Sequence, residues 1–148
     1  MNKYFREWLK YAEENFEGGK ILFNNSTENF KTLVCYNMQQ AVEKYLKAYL
    51  VANGIEIDER HREHYTHNIA ELIEKCKEID PDFDKLYNIE PDRLTDYAVN
   101  LKYPSNKLKT LSIEDEAQAI SIAEQVKTFV VKKIMELSKV EENNQKVV

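Results

Sequence analysis

Chain breakers are scarce in this sequence: 148 residues include only three glycines and three prolines. Few positions favour tight turns, so the composition points to long helices. Cysteine is rarer still. Cys35 and Cys76 have no metal-ligand spacing, and each falls within an apolar helical pattern, so both read as reduced core residues of a cytosolic protein. No apolar run reaches the ~20 residues that span a bilayer. The opening Met-Asn-Lys-Tyr-Phe-Arg-Glu-Trp mixes charge into a helical pattern, unlike a signal peptide, so a cytoplasmic protein without membrane contact is expected. An excess of basic charge is also absent. The formal charge of −5 at pH 7 gives no global field favouring nucleic acid, although a local basic patch stays open because binding depends on where Lys and Arg cluster. A chain of this length is expected to bury roughly 70% of its unfolded surface in one core.

What the sequence does contain is helical periodicity. Phe5, Trp8, Ala12, Phe16 and Gly19 form one stripe, predicting a first helix from about Lys3 to Phe23. Gly18-Gly19 within it marks a kink or a close helix crossing. Asn24-Asn25-Ser26-Thr27 reads as a turn, with Ser26 or Thr27 as N-cap. A second helix is predicted from about Glu28 to Asn53, closed by Gly54 as a left-handed C-cap. It carries two apolar stripes, one through Val34, Met38, Ala41, Tyr45 and Ala48, the other through Cys35, Val42, Leu46 and Tyr49. A helix apolar on most sides belongs at the centre of a bundle.

Thr66 is the expected N-cap of a third helix, through Ile69, Leu72, Ile73 and Cys76, ending near Asp80 before Pro81. Residues 82–87 suggest a short helical turn. A fourth helix is expected from Pro91 to about Leu101, stopped by Pro104. Ser112 with Asp115 resembles a capping box, opening a last helix through Ala119, Ala123, Val126, Val130 and Ile134 to about Ser138. The expectation is an all-α, antiparallel up-and-down bundle of four to five helices. Residues 1–139 would form the single bundle and 140–148 a flexible tail.

Three places invite a functional reading. The central helix bears a polar wedge of Gln39, Gln40, Glu43, Lys44 and Lys47. Such residues are rarely buried without partners, so the wedge is expected to face a groove, a neighbouring subunit or solvent. Glu43 and Lys47 are spaced for an intrahelical pair; alternatively, Gln40, Lys44 and Lys47 line a cleft for an anionic ligand. His61, His64 and His67 lie in a charged stretch with Arg60, Arg62 and Glu63. Two arginines beside the rings disfavour a metal, and no ligand spacing is present, so His61 and His64 read as solvated loop. His67, in the first turn of the third helix, presents one ring nitrogen to a groove. Lys102 and Tyr103 end the fourth helix, where a cation suits the helix dipole; a ring able to stack a base and a cation able to meet phosphate are the sharper reading.

No glycine-rich phosphate loop, nucleophile with a base, or catalytic carboxylate pair is present. The remaining chemistry is that of arginine with histidine, as charge stabiliser and general acid or base in metal-free RNA cleavage.

In combination these motifs resemble the HEPN family of small helical-bundle proteins. Trp8 with Ala12 one turn later is similar to the family's opening helix. Gln39-Gln40-Ala41-Val42-Glu43-Lys44-Tyr45-Leu46-Lys47-Ala48 resembles its Gln-x-x-x-Glu-Lys-x-x-Lys-Ala signature. His67-Asn68-Ile69-Ala70-Glu71-Leu72 resembles its His-x-hydrophobic-x-x-Leu, and Leu101-Lys102-Tyr103-Pro104 its Arg-Tyr-Pro. The resemblance implies a bundle that pairs as a homodimer and works with a nucleotidyltransferase-fold partner, often as a toxin–antitoxin pair. Some members are RNases with an arginine, four to six residues, then a histidine; others are nucleotide-binding or non-catalytic modules. The first alternative would use Arg62 and His67, which four residues separate. However, this pair precedes the third helix, whereas RNase members place theirs towards the later helices. Lys102 also replaces the motif arginine, exchanging a bidentate fork for a point charge. With these departures the expectation is a non-catalytic module, with no cofactor and no metal, whose groove for a nucleotide, RNA or partner is lined by Gln40, Lys44, Lys47, His67, Lys102 and Tyr103.

Overall fold

A computed structural model of the chain describes residues 3–25, 30–58, 65–100 and 111–146, with residues 98–100 by their backbone alone. Helix α1 spans Phe5–Asn25, α2 Lys31–Ala52 and α3 Ile69–Ile79. Two 3₁₀ segments, Pro81–Ile89 and Pro91–Leu94, lead into α4, Thr95–Asn100, and the long α5 covers Ile113–Lys146. The described residues contain no strand. This is the all-α bundle that the periodicity implies.

Helix α2 is the axis of the fold and packs against α1, α3, α4 and α5. Val34, Cys35, Met38, Ala41, Val42, Tyr45, Leu46, Ala48 and Leu50 are all excluded from solvent, so both apolar stripes are used. Its end is a Schellman cap. Gly54 has φ +85°, its N–H bonds Val51 O at 3.0 Å, and Ile55 N–H bonds Leu50 O at 3.1 Å. Only a residue without Cβ takes that conformation cheaply.

Helix α1 lies against α2 through Phe5, Ala12, Phe16 and Gly19. The two adjacent glycines differ. A Cβ on Gly19 would overlap the terminal methyl of Met38 and lie 3.3 Å from Asn37 Cβ, whereas a Cβ on Gly18 would meet nothing within 4 Å. Gly19 is thus the close helix crossing that the pair suggested. Higher along the contact, the buried Tyr45 hydroxyl donates to Glu13 Oε1 at 2.5 Å. Lys127 of α5 reaches the same carboxylate at 3.0 Å, tying three helices together.

Several boundaries differ from the sequence expectation. Helix α3 is capped by Asn68 instead of Thr66: Asn68 Oδ1 accepts Glu71 N–H at 3.1 Å. Thr66 Oγ1 accepts Asn68 N–H at 3.0 Å and donates to Glu71 Oε2 at 2.8 Å. Both residue types can cap, and asparagine three residues before Glu71 takes the role. His67 therefore precedes the helix and is not in its first turn. The expected fourth helix begins as the 3₁₀ turn Pro91–Leu94, which follows Glu90 at φ 53°. The Ser112–Asp115 capping box forms as read, with Asp115 N–H to Ser112 Oγ at 3.1 Å and Ser112 N–H to Asp115 Oδ2 at 2.8 Å. Its helix continues past Ser138 to Lys146, so most of the segment expected as a flexible tail is exposed helix, which a run without Gly or Pro permits. The expected caps Ser26 and Thr27 lie outside the described residues.

The glycine contrast gives a direct test. Gly18→Ala is expected to stabilise the protein by about 1 kcal/mol through helix propensity, seen in urea unfolding. Gly19→Ala should forgo that gain or reverse it, because Met38 must move.

Candidate functional site

The polar wedge of α2 is mostly closed, not open. Gln39 is 0% exposed, Glu43 3% and Lys47 3%, contrary to the expectation that they face a groove, a neighbouring subunit or solvent. Burying charges is costly unless each is paired and hydrogen-bonded, and here they are. Lys47 Nζ donates to Glu43 Oε1 at 2.6 Å. Gln39 Nε2 donates to Glu43 Oε2 at 3.0 Å and to the His67 carbonyl at 3.4 Å. Gln40 Nε2 donates to Gln39 Oε1 at 2.6 Å.

The fifth participant comes from another element. His67 Nδ1 lies 2.9 Å from Glu43 Oε1, and the imidazole side chain is 56% exposed. Glu43, with Lys47 as counterion, acts as an acceptor, so Nδ1 carries the hydrogen. The outward nitrogen is then Nε2. The backbone around His67 is held as well, by the Gln39 contact and by the Asn68 cap next to it. A buried carboxylate that fixes the tautomer and orientation of a half-exposed imidazole is an arrangement suited to binding or proton transfer at Nε2.

Aromatic rings cover the ammonium. Lys47 Nζ lies 5.8 Å from the ring centroid of Trp8 and 5.6 Å from that of Tyr65, within cation–π range. Tyr65 is half exposed and Trp8 partly buried. Lys47 thus belongs to the floor of the site and is not a free surface cation.

Lys44 turns away towards α1. Its Nζ donates to Asn15 Oδ1 at 2.5 Å, and Asn15 Nδ2 donates to Asn37 Oδ1 at 2.8 Å. Partial burial holds its ammonium below the usual lysine value, opposed by the charges of Glu43 and Glu14. Gln40 joins the network through Gln39, beside the His67 contact and not at it. Of the expected groove residues, Lys47 and His67 meet on one carboxylate oxygen, with Gln40 two hydrogen bonds away through Gln39 and Lys44 on the neighbouring seam. Lys102, Tyr103 and Arg62 lie outside the described residues, as do His61 and His64.

Sequence reading missed three contributors. Glu43 was read as the partner of Lys47 only, and nothing local announced that a residue 24 positions on would share its oxygen. Trp8 reads from the sequence as part of the apolar stripe of α1 and of the family-like opening helix, not as a cover for Lys47, and Tyr65 carries no pattern at all.

The cysteines supply no nucleophile. Burial, then the charges of Glu116 and Asp115, push the Cys35 thiol up to about 12 against a lowering hydrogen bond from Tyr97. Burial alone raises Cys76. Both are inert thiols. Among the described residues no group of three or more His, Cys, Asp or Glu is placed to hold a metal ion, and no helix is long and apolar enough to cross a membrane.

Comparison with known proteins defines the class. The model of the HEPN domain matches residues 5–134, and the chain belongs to the HEPN family. It is 32% identical over 134 residues to "Putative toxin MJ1304" of Methanocaldococcus jannaschii, a match covering 84% of each protein. In three dimensions it is similar to the crystal structure of ST0689, an archaeal HEPN homologue, with TM-score 0.55 and 23% identity over 88% of this chain and 97% of that one. The structural likeness carries the fold alone.

The buried ion pair is testable by a double-mutant cycle. Lys47→Met should destabilise the protein by about 3–5 kcal/mol because Glu43 loses its counterion. Adding Glu43→Gln should recover a substantial part of that loss in chemical denaturation, since no buried charge is then left unpaired.

Proposed function

We propose that this chain is a HEPN module that binds a phosphate-bearing ligand, a nucleotide or RNA, where His67 emerges from the bundle. It would act as a homodimer with a nucleotidyltransferase-fold protein in a toxin–antitoxin-like pair in the cytoplasm. One observation carries the ligand reading: the imidazole of His67 is held through Nδ1 by buried Glu43 while more than half of the side chain is exposed. The buried Glu43–Lys47 pair is neutral as a unit, so the histidine is the polar group this network offers outward. Gln40 and the Lys44 seam extend the same face. The similarity to a protein whose name includes "toxin" supports the paired context, and the family supports the dimer and the partner.

The same contact favours a second reading, metal-independent RNA cleavage with His67 as general acid or base and Arg62 as charge stabiliser. A carboxylate-held imidazole is what such a role requires. The two readings share the ligand face and differ in whether the bound phosphodiester is broken.

One pair of measurements separates them. Calorimetry with nucleotides and a short single-stranded RNA should show binding that weakens at least about tenfold in His67→Ala, the loss of one hydrogen bond to a charged group. Because the ring is half exposed, that variant should keep the fold. Cleavage that survives EDTA and disappears in His67→Ala would establish the RNase reading. Intact RNA with binding retained would establish the module, and no binding to either ligand would remove both.

A further inference from the structure

Beside the histidine site lies a cleft of different character, about 300 Å³ in volume. It opens between the first turns of α1, the end of α2 and the loop beyond Gly54. Tyr4 and Trp8 contribute rings, while Glu7, Glu56 and Asp58 contribute carboxylates. No lysine or arginine lines it among the described residues. Val51 and Ile57 add apolar wall.

We propose that this cleft receives a cationic side chain, the guanidinium of an arginine or the ammonium of a lysine, from a partner polypeptide. Aromatic faces attract a cation placed over them. The Glu7 carboxylate at the rim gives that cation an opposite charge. The apolar wall suits the methylene stem that carries such a charge. The chain itself supplies a precedent: Lys47 Nζ sits 5.8 Å from the same Trp8 ring and 5.6 Å from Tyr65. That internal ammonium does not repel a second cation strongly, because Glu43 lies 2.6 Å from it. Tyr4, Glu56 and Asp58 take part in other interactions, so Glu7 is the carboxylate assigned the contact with the cation.

Size and sign exclude other occupants. The volume is at the lower limit of ligand pockets, enough for one long side chain. A phosphate would meet the Glu7 carboxylate and no lysine or arginine among the described lining residues, so this cleft is separate from the face assigned to His67 and does not depend on that assignment. A basic side chain seated here would place its polypeptide across Trp8, next to the mouth of the histidine site. Partner docking and ligand access would then be adjacent.

Trp8 is the sole tryptophan of the chain, so its fluorescence reports on the cleft directly. Titration with N-acetyl-arginine amide or N-acetyl-lysine amide is expected to change the emission saturably. The citrulline amide, close to arginine in shape but uncharged, should not. Glu7→Gln, a change at an exposed position of α1, should weaken the arginine response by about tenfold, as expected for removing a charged hydrogen-bond partner. The proposal is overturned if the arginine and lysine amides give no saturable change, if citrulline matches arginine, or if Glu7→Gln binds like the parent. Spermidine binding more tightly than either amide would also overturn it, in favour of a free polyamine. All these arms are read without nucleotide or RNA, so their failure is distinct from failure of the histidine site.

Discussion

The rest of the structure depends on the burial of α2 together with the charges it carries. Its apolar stripes require that the helix be surrounded, and once it is surrounded Glu43 and Lys47 can no longer reach bulk water. A buried carboxylate and ammonium survive only with close partners. The bundle supplies Lys47 to Glu43 at 2.6 Å, Gln39 to its other oxygen, and two aromatic rings to Lys47. One acceptor direction on Glu43 then receives the histidine just before α3. The anchored position of His67 is thus a consequence of satisfying the core.

This coupling of core and surface explains the character of the site. Its inner layer is closed and carries no net charge. The outer group, His67, inherits a fixed orientation from it at little entropic cost. Elsewhere in the described chain, Cys35, Cys76 and Glu116 are withdrawn from solvent by burial. Cys35 and Cys76 are raised thiols. Glu116 is 3% exposed with one carboxylate oxygen unpartnered among the described residues, and burial raises its pKa against the pull of Lys31. The imidazole face and the cleft beside Trp8 are linked through Lys47, whose ammonium bonds Glu43 and lies 5.8 Å from the Trp8 ring.

Much of the fold was legible in the sequence because it is written in local terms. Gly54 as a left-handed cap, Ser112 with Asp115 as a box, and two stripes on α2 each depend on residues within a turn or two of one another. Gly19 as a crossing point was legible only as one of a pair, since its role depends on Met38 across the interface. The candidate site was legible by residue type but not by arrangement. Gln40, Lys44, Lys47 and His67 were named, yet their burial and direction depend on how α3 approaches α2. A helical wheel shows which residues share a face; it does not show that a residue 24 positions on will close that face. For the same reason Thr66 looked as good a cap as Asn68, and only the path of the backbone decided between them.

The most direct test of the account is the state of the His67 ring itself. Long-range ¹H–¹⁵N correlation spectra of the imidazole, recorded above neutral pH, distinguish a ring protonated at Nδ1 from one protonated at Nε2. The account predicts a single Nδ1–H tautomer for His67 in the parent protein and a shift towards the ordinary averaged mixture in Glu43→Gln. A parent His67 that already averages between tautomers, or a spectrum unchanged by Glu43→Gln, would contradict it.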